Sequence, residues 1–225
     1  MIQTFNERDL SAICRQLAAK DKDLQHIISC YGFPPFWSRK PSFETLVHII
    51  LEQQVSLASA RAALDKIKLK IKRITASNLL ALSDDEMRYC YFSRQKTLYT
   101  RNLAEAIRSK KIHISKLKNL KDDEVRNKLK QLKGIGDWTA DIFLMMALNR
   151  TDCFPTGDIA LINSIKKVKN LPSETTKEHI HEIAEGWRPY RTIAAYLLWH
   201  NYLQERSKKQ KKSQEAQVCD ATAAS

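Results

Sequence analysis

Glycine is scarce in this sequence, with five residues in 225, or about 2%, against a usual share of about 7%. Gly-rich phosphate loops and sheets joined by tight Gly turns both need positive φ repeatedly, so the composition disfavours them and favours helices. Each remaining glycine is expected to mark a backbone geometry the chain could not otherwise reach. No apolar run approaches the roughly 18 residues of a membrane span. The opening MIQTFNERDL carries charges where a signal peptide would be apolar. The expected setting is intracellular, either cytoplasmic and nucleoid or nuclear, with no membrane partner. The five cysteines (Cys14, Cys30, Cys90, Cys153 and Cys219) are widely spaced and include no C-x-x-C. They encode neither a disulfide framework nor a zinc or iron–sulfur site, and most are expected to be buried small hydrophobes. Alternating strand patterns are lacking as well, with 111–117 the one ambiguous stretch.

What is present is positive charge and helical periodicity. The formal net charge is +13, and 43% of the residues are hydrophobic, enough for a folded core. Residues 206–225 contribute a net +3 and read as a basic, disordered tail, so the body keeps +10. Such a balance points to a polyanion, most simply nucleic acid, although a solvated Lys-rich surface also fits. After a Pro-rich loop at 31–41, Ser42 can cap a helix carrying Phe43, Leu46, Val47, Ile50 and Leu51. Gln53 and Gln54 interrupt that run before a second pattern through Leu57, Ala60 and Leu64, and Ser83 with Glu86 reads as a capping box. Further helices are expected near 94–109, 122–132, 137–149, 158–169 and 174–185, then a last one opened by Pro189. The expected fold class is all-α, with about ten helices.

Two short segments carry chemistry. At 132–141 the chain reads LKGIGDWTAD, where an apolar-amphipathic helix runs into Gly134-Ile135-Gly136 and a new helix starts at Asp137. Backbone N–H groups unobstructed by Cβ atoms, beside a helix N-terminus, can hold a phosphate, and Lys130 and Lys133 add charge. A plain αα turn is the competing reading. Further on, Phe154-Pro155-Thr156-Gly157-Asp158 leads into IALINSIKKV, which places Asp158 at a helix N-terminus, 22 residues after Gly136. Helix dipole and amides favour a carboxylate there, and an ordinary N-cap is the bland alternative.

The hairpin resembles a helix-hairpin-helix DNA-binding motif. Its pairing with the Gly/Pro loop and Asp158 resembles the helix-hairpin-helix DNA glycosylase superfamily. Adding IILEQQVS at 49–56 and EGWRPYRTIAAYLLW at 185–199, roughly residues 40–200 resemble the 3-methyladenine DNA glycosylase II family. The resemblance implies two helical subdomains, 42–150 with the hairpin at about 122–149, and 1–41 plus 151–205 with the Asp loop, the active-site cleft lying between them. It also implies a monomer acting on double-stranded DNA with damaged bases and flipping N-alkylated purines for hydrolytic release. Asp158 would stabilise the positive charge developing on the deoxyribose, a role weighted above proton abstraction. Bifunctional members carry a lysine two residues past the second hairpin glycine; this chain has Trp138, which cannot form a Schiff base, so no lyase step is implied.

Carried over residue by residue, Trp138 and Trp187 would flank the extruded base, whose cationic ring suits indole faces. Either could equally be core. Gln54, with Gln53 beside it, falls where the family inserts a wedge side chain, or both could simply end the helix. Lys133, Gly134, Gly136 and Thr139 would contact DNA, and Arg191 matches a patterned arginine. No cofactor is required, but Na+ or K+ could sit on the backbone carbonyls of Lys130, Leu132 and Ile135. The chain departs from the best-known bacterial relative by lacking residues for an N-terminal sheet domain. It also has Ile142 where that relative has an aromatic, which implies a smaller aromatic cage. Specialisation for uracil, hypoxanthine or a mispaired adenine, or a non-catalytic binding module, are the alternatives.

Overall fold

Short polar side chains start most of the helices. Asn6 accepts from Arg8 N–H while Asp9 reaches back to the Asn6 amide, closing a capping box at the start of the first helix. Ser42, Ser56, Thr75, Ser83, Ser93 and Thr176 each accept an amide of the helix that follows. The structure, a computed structural model, describes residues 3–223, with side chains through 211. Thirteen helices run through the described residues. They are α1 (Glu7–Lys20), α2 (Lys22–Tyr31), α3 (Phe43–Glu52), α4 (Leu57–Ile71), α5 (Ala76–Leu80), α6 (Asp84–Tyr89), α7 (Arg94–Arg108), α8 (Ile114–Leu117), α9 (Asp122–Lys130), α10 (Asp137–Met146), α11 (Ile159–Val168), α12 (Lys177–Glu185) and α13 (Arg191–Ala223).

The all-α expectation holds, and the count exceeds ten partly because α5 and α8 are too short to display a periodic apolar face. The ambiguous 111–117 stretch is a loop and α8, and the one β-feature among the described residues is a bridge between Thr4 and Arg150. Pro189 lies two residues before α13 rather than at its first turn. Helix α13 continues through the tail to Ala223, and no Gly or Pro follows Arg191 to end it sooner. Cys14, Cys90 and Cys153 are buried while Cys30 is exposed, and Cys219's side chain lies outside the described residues. Burial pushes the Cys14 thiol up to about 12, so it behaves as a hydrophobe.

The chain divides into two units, Met1–Thr4 with Trp37–Pro155, and Phe5–Phe36 with Thr156–Ser225. In the first, α3 is apolar nearly all round, with Leu46, Val47, Ile49, Ile50 and Leu51 all fully buried, and α4, α7 and α10 pack on it. Arg150, 1% exposed, donates to the carbonyls of Lys118 and Leu120 at 3.0 and 2.8 Å and pairs with Asp122 at 3.1 Å. One guanidinium thereby satisfies the loop that leads into α9.

In the second unit the N-terminal half of α13 plays the central part. Residues Ile193 through Leu198 are wholly buried, and α1, α2 and α11 pack around them. Asp21 joins the pieces. It ends α1, caps α2 through Leu24 N–H, accepts Lys169 Nζ at 2.7 Å and accepts the Trp187 indole N–H at 2.8 Å. Burial alone would raise its carboxyl, but the bonds from Lys169, Trp187 and Leu24 outweigh that and hold it below the usual aspartate value.

A depressed carboxyl contributes stability that is complete above its unfolded-state pKa and fades as pH falls through the lower native one. Asp21→Asn is therefore expected to lower stability near neutral pH by about 1–3 kcal/mol. In urea unfolding followed by circular dichroism, the gap between wild type and variant should narrow as pH drops below about 4.

Candidate functional site

The hairpin is held from beneath and open above. Leu132 and Ile135 are buried at 5% exposure each, while Lys133, Gly136 and Asp137 face solvent. Gly134 adopts φ +92, and a Cβ there would lie 2.0 Å from the Tyr99 ring. Two ion pairs tie α9 to α10: Arg126 Nε to Asp141 at 2.7 Å, and Lys130 Nζ to Asp137 at 2.5 Å. The second helix starts on Gly136, which offers no capping side chain, and a Cβ at Gly136 would meet nothing within 4 Å. An uncapped helix start approached by open space is what an anion requires. Leu132 O accepts Ile135 N–H at 3.1 Å, and among the described residues no donor bonds the carbonyls of Lys130 or Ile135.

The break after α3 is joined to this hairpin. Gln53 Nε2 donates to Gly134 O and to Thr139 Oγ1, both at 2.9 Å, and Thr139 is 2% exposed. Both side chains are thereby engaged with each other and with the hairpin inside the unit. Gln54 differs. It is exposed at φ +55, with Val55 and Leu57 exposed beyond it. Lys96 Nζ donates to Leu51 O at 2.6 Å, covering the last turn of α3 beneath. Trp138 is half-buried at the second residue of α10.

Asp158 is the N-cap of α11, its Oδ1 accepting Leu161 N–H at 2.9 Å. The same oxygen accepts the indole N–H of Trp199 at 3.1 Å, from the buried start of α13. Trp187, expected beside the base, is 3% exposed and donates its indole N–H to Asp21. Trp187 lies in the turn after α12 and bonds to the Asp21 cluster. Trp199 is the indole that touches the carboxylate. Both lie in the segment 185–199, and sequence pattern does not say which one α13 turns toward Asp158. Arg191 is engaged structurally, donating to Glu185 at 2.6 Å.

Residues 47–189 match the family model described as HhH-GPD superfamily base excision DNA repair protein. The chain belongs to the HhH-GPD superfamily. This HhH-GPD protein is 30% identical over 190 residues to DNA-3-methyladenine glycosylase 1 of Schizosaccharomyces pombe, covering 81% of this chain and 83% of that one. Among solved structures it is similar to a Schizosaccharomyces pombe 3-methyladenine DNA glycosylase in complex with abasic DNA. That match has a TM-score of 0.74 at 28% identity, covering 84% of this chain and 95% of the other. It is also similar to a DNA-3-methyladenine glycosidase from Bacillus halodurans, with a TM-score of 0.69 at 27% identity, over 90% and 92% of the two chains. Among the described residues of this HhH-GPD chain, no helix is long and apolar enough to cross a membrane.

The two hairpin glycines should separate on substitution. Gly134→Ala must displace the Tyr99 ring and strain a positive φ, costing about 2 kcal/mol or more in chemical denaturation. Gly136→Ala, with open space around its new methyl, should leave stability within about 1 kcal/mol of wild type.

Proposed function

We propose that this protein is a monofunctional DNA glycosylase of base excision repair that flips N-alkylated purines of the 3-methyladenine and 7-methylguanine type out of double-stranded DNA and hydrolyses their glycosidic bonds. The observation that carries the reading is the Asp158 carboxylate, held at a helix start by Leu161 N–H and Trp199 N–H in a chain that also has the hairpin. An alkylated purine is cationic and departs neutral, so no proton has to be delivered to it. As the C1′–N bond breaks, its electron pair leaves with the base and positive charge gathers on the sugar. A carboxylate fixed beforehand stabilises that charge without reorganising. Water then bonds to C1′ and loses its proton.

The remaining residues take supporting parts. Amides at the start of α10 with Lys133 grip a phosphate, giving sequence-independent affinity. Gln54 enters the duplex as the wedge, and Trp138 stacks on the cationic base. Tryptophan at that position supports hydrolysis without strand cleavage, since it offers no amine. Na+ or K+ on the carbonyls of Lys130, Leu132 and Ile135 would stiffen the hairpin, and the chemistry itself draws on no cofactor. The protein acts as a monomer without an iron–sulfur cluster, its described cysteines being scattered.

Asp158→Asn keeps an oxygen that accepts both N–H groups but removes the charge. It should therefore bind abasic DNA like wild type, while excision of 3-methyladenine falls by about 10²- to 10³-fold. Excision at the wild-type rate would refute the mechanism. Borohydride should trap no covalent complex, and a lesion panel should rank cationic purines above uracil and hypoxanthine, with Trp138→Ala eroding that preference. Release of a neutral base alone would reassign the substrate, and release of no base at all would leave a binding module.

A further inference from the structure

The ends of α7 and α9 border an open groove of about 640 Å³ that has no part in the reading above. Arg108 and Lys111 line it from the first, Gln131 and Lys133 from the second, and Glu105 is its one acid. Ser109 ends α7 and Gln131 ends α9, so the groove lies at the carbonyl ends of both helices. The turn after α7 holds Lys110 at φ +58, pinned by Lys110 N–H to Ile107 O at 3.1 Å and Ile112 N–H to Ala106 O at 3.2 Å. Ile112 is buried just beyond it. Lys111 therefore leaves the backbone from a fixed turn, between a strained residue and an apolar anchor.

The charges around this groove do not cancel. Two helix C-termini amount together to about one negative charge, and Glu105 adds another. Against them stand four exposed cations, Arg108, Lys110, Lys111 and Lys133, none with an acidic partner among the described residues. Complementing the helix dipoles, the ordinary role of cations there, thus leaves about two positive charges over. Like charges gathered around a concavity raise the local concentration of an anion. Lys133 belongs to the hairpin as well as to the groove, so the groove continues the surface read as the phosphate grip. An anion that reaches both is an extended one, and a DNA strand carries a phosphate about every 3.4 Å along its axis.

We propose that this groove takes the backbone phosphates next to the one held at the hairpin, with Arg108 and Lys111 neutralising them. The proposal rests on the reading of the hairpin as a DNA grip. Its test compares Arg108→Gln/Lys111→Gln with Lys116→Gln/Lys118→Gln, which removes equal charge from exposed positions at α8 that do not line the groove. Binding to an undamaged duplex and to one with an abasic-site analogue is measured across a salt series. The groove pair should weaken both duplexes by one common factor, about tenfold, and reduce the slope of log affinity on log salt by about 1–2. At physiological ionic strength the α8 pair should stay within about twofold of wild type, because distant charges are screened. Glu105→Gln should tighten binding, and all variants should melt like wild type because every position is exposed. If both pairs weaken binding alike, if the groove pair changes neither affinity nor slope, or if Glu105→Gln weakens binding, the site is overturned while base release by wild type keeps the glycosylase reading. If wild type binds DNA as expected here but releases no base, the groove stands and the glycosylase reading falls. If wild type binds neither duplex, the hairpin reading falls and takes this site with it.

Discussion

The first amides of a helix have no partner within it, and α10 and α11 dispose of theirs in opposite ways. At α11 the chain supplies its own anion: Asp158 accepts Leu161 N–H and is fixed further by the Trp199 indole. At α10 the helix starts on Gly136, which has no side chain to offer, with open space above it. The same deficit is met by a built-in carboxylate at one helix and is left open at the other, the arrangement an outside anion can occupy. The chemistry on a charged sugar and the grip on a charged backbone proposed above both draw on that constraint.

Each unit then spends its core on holding one of these helix starts still. In the first, the wholly apolar α3 carries a break at Gln53, whose amide reaches both Gly134 and Thr139. The turn between α3 and α4 and the hairpin are thus coupled through one side chain. In the second, the buried start of α13 presents Trp199 to Asp158, while Asp21 and Lys169 secure the far end of α11. A carboxylate with little freedom at either end of its helix needs little reorganisation when charge develops.

Backbone strain is distributed differently from what the glycine count implies. Among the described glycines only Gly32 and Gly134 have positive φ, whereas six described residues with side chains do, Gln54 and Tyr91 among them. Glycine is required at 134 because Tyr99 occupies the space a Cβ would fill. At Gln54 and Tyr91 the strained conformation instead turns a side chain outward, and composition carries no record of that.

Local rules made the helices legible: caps at Ser42, Ser83 and Asp158, apolar periodicity through α3, α7 and α9, and the Gly-x-Gly junction between α9 and α10. The basic balance and the order of the motifs likewise carried the superfamily and the candidate carboxylate. What local rules could not reach were contacts across large sequence separations. Whether Gln53 faces DNA or Thr139, and whether Trp187 or Trp199 meets Asp158, depends on how α13 and α10 are rotated within their units. Rotation is set by the summed packing of apolar faces, to which a polar or aromatic residue at one position contributes little. Sequence by itself therefore determined which residue types stand at the helix starts, and tertiary packing decided which distant side chains meet them.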